Sequence, residues 1–289
     1  MAVGAGKGRC DHAGRPRHVG CWLRRLATVL AGLLIAAGST SPAAGGAWTK
    51  EKGDGVAIMT GSFSYGDQAF DENGKLVPVP EYRKFELSNH FEYGVTPWLT
   101  GILRAELRTA VENALLDEST ATGSVGARVR WIKAPKWVFS TQLTALSGDF
   151  DTIGINEDPD DPGIDARALF GYGTTIRGVP VYGDVQAGYR YLSGSSTDEV
   201  RFDLALGIKP WERWEFIAQA FNTISVEDGG GGEDFDADGD DGYRYHKLQL
   251  SALRRIGERT SVQVGAFGVV AGEDALQEYG GLMALWYKF

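Results

Sequence analysis

The sequence predicts an all-β protein, an antiparallel up-and-down transmembrane β-barrel of about twelve strands. Three observations predict it. Short runs alternate apolar and polar residues at the strand period of two, and the connections between them alternate strictly between short and long. The chain also stops on a strand-like segment, in which Met283, Leu285, Tyr287 and Phe289 share one face and Ala284, Trp286 and Lys288 the other.

The first stretch is an export address. Arg15, Arg17, Arg24 and Arg25 precede an apolar run over 26–37, and small residues over 43–47 offer cleavage positions, the order of a secretory signal peptide. The run is too short to span a bilayer, which takes about 20 residues as a helix. The expected division is therefore a removed signal peptide over 1–47 and a single barrel domain over 48–289. Cys10 and Cys21 both fall in the removed part, so stability must come from the backbone ladder without a disulfide. Removing six Lys/Arg and one Asp lowers the formal charge from -9 to -14. A strongly acidic chain without a basic stripe argues against a nucleic-acid partner.

Strands are expected at 54–65, 81–93, 98–110, 122–133, 137–147, 164–177, 180–192, 199–209, 212–224, 242–254, 259–271 and 279–289. An even number suits a barrel with both ends in the periplasm. Short turns are expected at 94–97, 133–136, 178–179, 210–211 and 256–258. The mostly longer, more polar connections are at 66–80, 111–121, 148–163, 193–198, 225–241 and 272–278. A barrel in an asymmetric membrane keeps that alternation, short on the periplasmic side and long outside. Trp98, Trp137, Trp211 and Trp214 sit by the short turns, and Tyr65, Tyr82, Tyr191, Tyr243 and Tyr279 near the long loops, as two interfacial girdles would require.

Alternation then assigns the faces, strand by strand. Phe85, Leu87, Phe91 and Tyr93 oppose Lys84, Glu86, Ser88, His90 and Glu92; Leu103, Ala105 and Leu107 oppose Arg104, Glu106 and Arg108. Val125, Ala127, Val129 and Trp131 oppose Arg128 and Arg130; Ile164, Ala166, Ala168 and Phe170 oppose Asp165 and Arg167. Val185, Ala187 and Tyr189 oppose Asp184 and Arg190; Phe202, Leu204, Leu206 and Ile208 oppose Arg201 and Asp203. In the tenth strand Leu248, Leu250 and Ala252 face outward, with Arg244 and His246 beyond them near the loop end. An Arg exposed to lipid at the midplane costs roughly 2–4 kcal/mol, so the charged faces must point into the lumen. Two readings follow: a narrow water-filled pore whose charged wall orients a small solute, or a structural or surface-interaction barrel closed by its own salt bridges.

Other chemistry is sparse. The acidic stretch over 227–241 contains Asp234, Asp236 and Asp238 in the D-x-D-x-D-G opening of a calcium loop, but Tyr245 stands where the bidentate Glu belongs. A weak calcium site competes with a solvated acidic loop that binds calcium transiently at the lipopolysaccharide surface. Ser88 and His90 share a face as a hydrolase pair would, yet the face is luminal and no carboxylate or amide partner is evident, so no enzyme is expected. The expected surroundings are outer-membrane lipid and lipopolysaccharide.

The segment 91–100, Phe-Glu-Tyr-Gly-Val-Thr-Pro-Trp-Leu-Thr, resembles the strand-turn-strand of outer-membrane channels in the meta-pathway phenol-degradation family. The terminal Phe289 resembles the mark that barrel-insertion machinery reads in closing strands of Gram-negative outer-membrane proteins. The resemblance implies passive uptake of small molecules, aromatic or other organic compounds, and carries no binding residues with it.

Overall fold

In a computed structural model the structure describes residues 46–112, 115–151, 162–193, 197–226 and 242–289, the side chains at 112, 115–118 and 148–151 excepted. Among these, thirteen strands form one antiparallel sheet: β1 (Gly55–Phe70), β2 (Leu76–Thr96), β3 (Leu99–Glu112), β4 (Leu115–Lys133), β5 (Trp137–Asp151), β6 (Gly163–Ile176), β7 (Val179–Leu192), β8 (Glu199–Trp211), β9 (Trp214–Ser225), β10 (Arg244–Arg255), β11 (Thr260–Glu273), β12 (Ala275–Leu276) and β13 (Tyr279–Lys288). Each long strand pairs with its sequence neighbour, and β1 pairs with both β2 and β13, so twelve strands close on themselves. The two-residue β12 adds only to the outer end of β1, outside the ring.

Closure brings the end of the chain to its start. Val56 faces Lys288 and Tyr65 faces Tyr279, and Phe289 exchanges two backbone hydrogen bonds with Gly55, of 2.9 and 3.1 Å. The Phe289 ring stacks on Phe91, Tyr93 and Tyr287. A Cβ on residue 55 would strike that ring, so glycine at this position lets the last strand finish its ladder.

The outward faces are apolar over the whole wall. Met59, Phe63, Leu103, Leu107, Val125, Leu143, Leu206, Leu250, Val264 and Met283 each expose half or more of their surface. No water-facing fold tolerates so continuous an apolar surface; lipid does. Because β1 pairs with both β2 and β13, the ring of twelve strands closes, and a closed wall is expected to resist detergent until it is heated. Unboiled protein is expected to migrate apart from boiled protein on a denaturing gel, and a single coincident band would contradict the closed wall.

Several connections differ from the sequence expectation. The stretches at 66–80 and 111–121 are mostly strand among the described residues. β1 and β2 continue as a hairpin to a turn at 71–75, held by the Asp71 carboxylate accepting from the amides of Asn73 and Lys75. β3 pairs with β2 only from Tyr82 onward, so Pro78 and Pro80 lie where β2 has a neighbour on one side only, as strand prolines require. The turn after β6 is at Arg177 and Gly178, with φ of 51° and 83°, and Ile176 pairs with Val179. Two successive positive φ values give the primed two-residue turn that matches strand twist. The turn after β8 likewise falls at 212–213, with Trp211 paired to Trp214.

Candidate functional site: the lumen and its inner strap

Inside the wall the lumen has three levels. The lowest, at the end that carries the short turns, is apolar. Val56, Ile58, Ile217, Leu253, Ala284 and Trp286 pack together on one side, and the Trp286 indole donates to Gln263 Oε1 at 2.9 Å. Trp286 thus turns its ring inward, away from any interfacial girdle.

The other side is filled by chain that precedes β1. Residues 46–54 form a strap that follows the inner wall from β2 round to β7. Gly53 N donates to Gly94 O at 2.9 Å and Lys50 N to Thr100 Oγ1 at 2.8 Å; Thr49 Oγ1 donates to Pro97 O at 2.8 Å. Further along, Trp48 O accepts from Arg128 Nη1 at 3.0 Å, Ala47 O from Ser140 Oγ at 2.6 Å, and Gly46 N reaches Asp184 Oδ2 at 3.0 Å. Ala47 is fully buried against Val138 and Leu169. The Trp48 ring meets Tyr182 edge-on with centroids 6.1 Å apart, and lies over Gly171, where a Cβ would come within 2.6 Å of it. Tyr182 is fixed in turn by donating to Glu215 Oε1 at 2.6 Å.

Above the strap sits one carboxylate with three basic neighbours. Glu92, 7% exposed, lies 3.1 Å from Lys50 Nζ, 3.0 Å from Arg128 Nη2 and 3.3 Å from His90 Nε2. Arg128 also holds Gln142 Oε1 through Nε and Nη2 at 3.1 and 2.8 Å. Glu92 therefore ties the wall to the strap.

The upper lumen is lined by two ion-pair networks. On one wall Lys84 bridges Glu86 and Glu278 at 3.1 and 2.8 Å, Lys247 lies 3.6 Å from Glu278, and Arg104 and Arg108 share Glu106 at 2.7 and 3.7 Å. On the other, Arg167 bridges Asp165 and Asp203, both at 2.6 Å, and Arg190 joins Asp165 to Glu199, which Arg201 also meets at 3.4 Å. The Tyr243 hydroxyl donates to Glu199 at 2.5 Å, so this ring turns to the lumen mouth instead of joining an outer girdle. Between the networks a cavity of about 590 Å³ is bordered by Glu86, His90, Arg104, Arg128, Arg167, Arg190 and Arg201, with Phe221 and Phe267 on the intervening wall. Lys247 Nζ stands 4.0 Å from the centroid of Phe267.

Of the residues expected in the lumen, Lys84, Glu86, His90, Arg104, Glu106, Arg108, Arg128, Asp165, Arg167, Asp184, Arg190, Arg201 and Asp203 lie within these networks, at the cavity or under the strap. Arg130 stands at the bulge between Arg130 and Ile132, near the short turns, and does not border the cavity. Sequence reasoning missed Glu199, Glu278, Trp48 and Lys50. Glu278 belonged to an expected loop, Glu199 was the first residue of its strand, and the strap has no periodicity. The stretch with Asp234, Asp236 and Asp238 lies outside the described residues; among the described residues no cluster of three or more His, Asp or Glu could hold a metal. His90 has a carboxylate partner after all in Glu92, but that carboxylate is shared with two cations, and among the described residues no hydrogen bond joins Ser88 to His90.

No known protein family matches the chain, and no curated protein matches it in sequence. Solved structures share its fold. An outer-membrane channel from Pseudomonas putida F1 is 13% identical with a TM-score of 0.62, over 87% of this chain and 100% of that one. NanC porin is 9% identical with a TM-score of 0.50, over 81% of this chain and 100% of that one. At such identities the likeness establishes the fold alone, that of the Gram-negative outer-membrane β-barrels.

Proposed function

We propose that the barrel is a passive channel for small solutes, aromatic or other small organic compounds among them. The observation that carries this reading is the cavity of about 590 Å³ inside the wall, bordered by both signs of charge and by Phe221 and Phe267. Charged groups held in place by partners along the wall present fixed fields to a passing dipole, and Phe221 and Phe267 give the same cavity an apolar side. The solved channel and porin of the same fold support a conducting role.

A second reading has its own observation. The strap and the Trp286 cluster occupy the lower lumen, so a barrel whose strap never moves would be a closed scaffold that acts through its outer surface. Pure, folded protein in planar lipid bilayers is expected to give discrete conductance steps, rare or small while the strap is seated. Absence of any step from protein shown to be folded by its gel migration would decide for the closed scaffold.

A further inference from the structure

Six acidic side chains are buried among the described residues: Glu92, Asp165, Asp184, Glu199, Glu215 and Glu278. Five have a Lys or Arg nitrogen within ion-pair distance: Glu92 meets Lys50 and Arg128, Asp165 meets Arg167, Glu199 meets Arg190, Glu215 meets Lys209 at 3.2 Å, and Glu278 meets Lys84. Asp184 is the exception. It is 3% exposed, and among the described residues its hydrogen bonds come from the Gln186 amide at 2.9 Å and from Gly46 N at 3.0 Å. A buried carboxylate that lacks a cation is costly, and here two neutral donors are all that offsets the cost.

We propose that signal peptidase cuts between Gly45 and Gly46, so that the α-ammonium group of Gly46 is the cation that Asp184 lacks. In the cut, water adds across the Gly45–Gly46 amide: the acyl carbon leaves as the Gly45 carboxylate, and the nitrogen takes up protons as the Gly46 ammonium. Ala43 and Gly45 supply the small residues such a peptidase needs three before and one before the cut. The resulting cation is already in place, because the residue 46 nitrogen lies 3.0 Å from Asp184 Oδ2. A Cβ at residue 46 would strike Gln186 Nε2, so a larger residue there would have to displace the amide that also holds Asp184.

The boundary at 47 expected from sequence fits less well. A cut after Ala47 would discard Gly46 and with it the strap's donor to Asp184. It would also remove the Ala47 carbonyl that Ser140 donates to, and the methyl packed on Val138 and Leu169. A start upstream, at Ala44, would leave a neutral amide at Gly46.

Intact-mass measurement of the barrel extracted from outer membranes tests the cut. The expected mass is that of residues 46–289; a mass for any other first residue overturns the proposal. The pairing is tested by amine-reactive labelling near neutral pH, read on the N-terminal peptide by mass spectrometry. Asp184→Asn is expected to speed labelling of that amine at least five-fold in the folded barrel, and not at all in denaturant. Equal rates in folded protein and variant overturn the pairing. Neither readout depends on conductance, so both hold whether or not the barrel conducts.

Discussion

Glu92→Ala is expected to lower the unfolding free energy by roughly 3–5 kcal/mol, the cost of leaving a buried charge without its partner, and to raise single-channel conductance several-fold. The carboxylate is 7% exposed and holds both Lys50 and Arg128. Without it two cations face one another beside the strap. Arg128 is 4% exposed and held on the wall by Gln142, whereas Lys50 belongs to the strap and can leave. Repulsion is therefore relieved by unseating the strap, which is why stability and conductance are expected to change together. Arg104→Ala supplies the contrast. That side chain is half exposed to the lumen, with Glu106 as its partner, and an exposed pair contributes about 0–1 kcal/mol. Urea unfolding in lipid vesicles together with bilayer recordings reads both quantities; unchanged conductance in Glu92→Ala would show that the strap does not limit flow.

Leu250→Arg is expected to cost about 2–4 kcal/mol, the penalty for an Arg side chain facing lipid near the midplane of a barrel. Leu250 lies at the middle of β10, 67% exposed, with Ala218 and Ala266 beside it on the neighbouring strands. Those small neighbours offer a guanidinium no partner and leave it the full distance to the interface. Gln249→Arg, one residue away, points inward and loses the amide bond to Gln219 Oε1 at 2.9 Å, about 0.5–1.5 kcal/mol. Equal destabilisation by the two in vesicles would contradict the assignment of faces.

The contrast between Leu250 and Gln249 was legible because a strand carries its facing in its own alternation. In lipid that alternation is enforced: an inverted register would put Arg167, Arg190 and Arg201 into hydrocarbon. Closure of β13 on β1 was equally legible, from an aromatic strand ending the chain. The strap was not, because residues 46–54 repeat at no period and owe their conformation to side chains supplied by β3, β4, β5 and β7. Trp286 shares its face with Ala284 and Lys288, so alternation already turned it from lipid, and Gln263 then holds its indole; Trp48 lies in no alternating run, and its seat over Gly171 could not be read from the strap itself. The outer hairpin of β1 and β2 was hidden for a different reason: Pro78 and Pro80 are tolerated where β2 is paired on one side, and that depends on where β3 ends.

The strap also sets an order of events in assembly. Gly46 meets a residue 138 positions later in the chain, and Ala47 one 93 positions later. Contacts of such long sequence separation form late, after shorter loops have closed and restricted the search. The seats for Trp48, Ala47 and Gly46 exist only when β5, β6 and β7 already stand side by side, each in register with the next. The first part of the barrel to be translocated thus waits for its place until β7 has joined the wall, which leaves the chain ahead of β1 unseated through the first half of assembly.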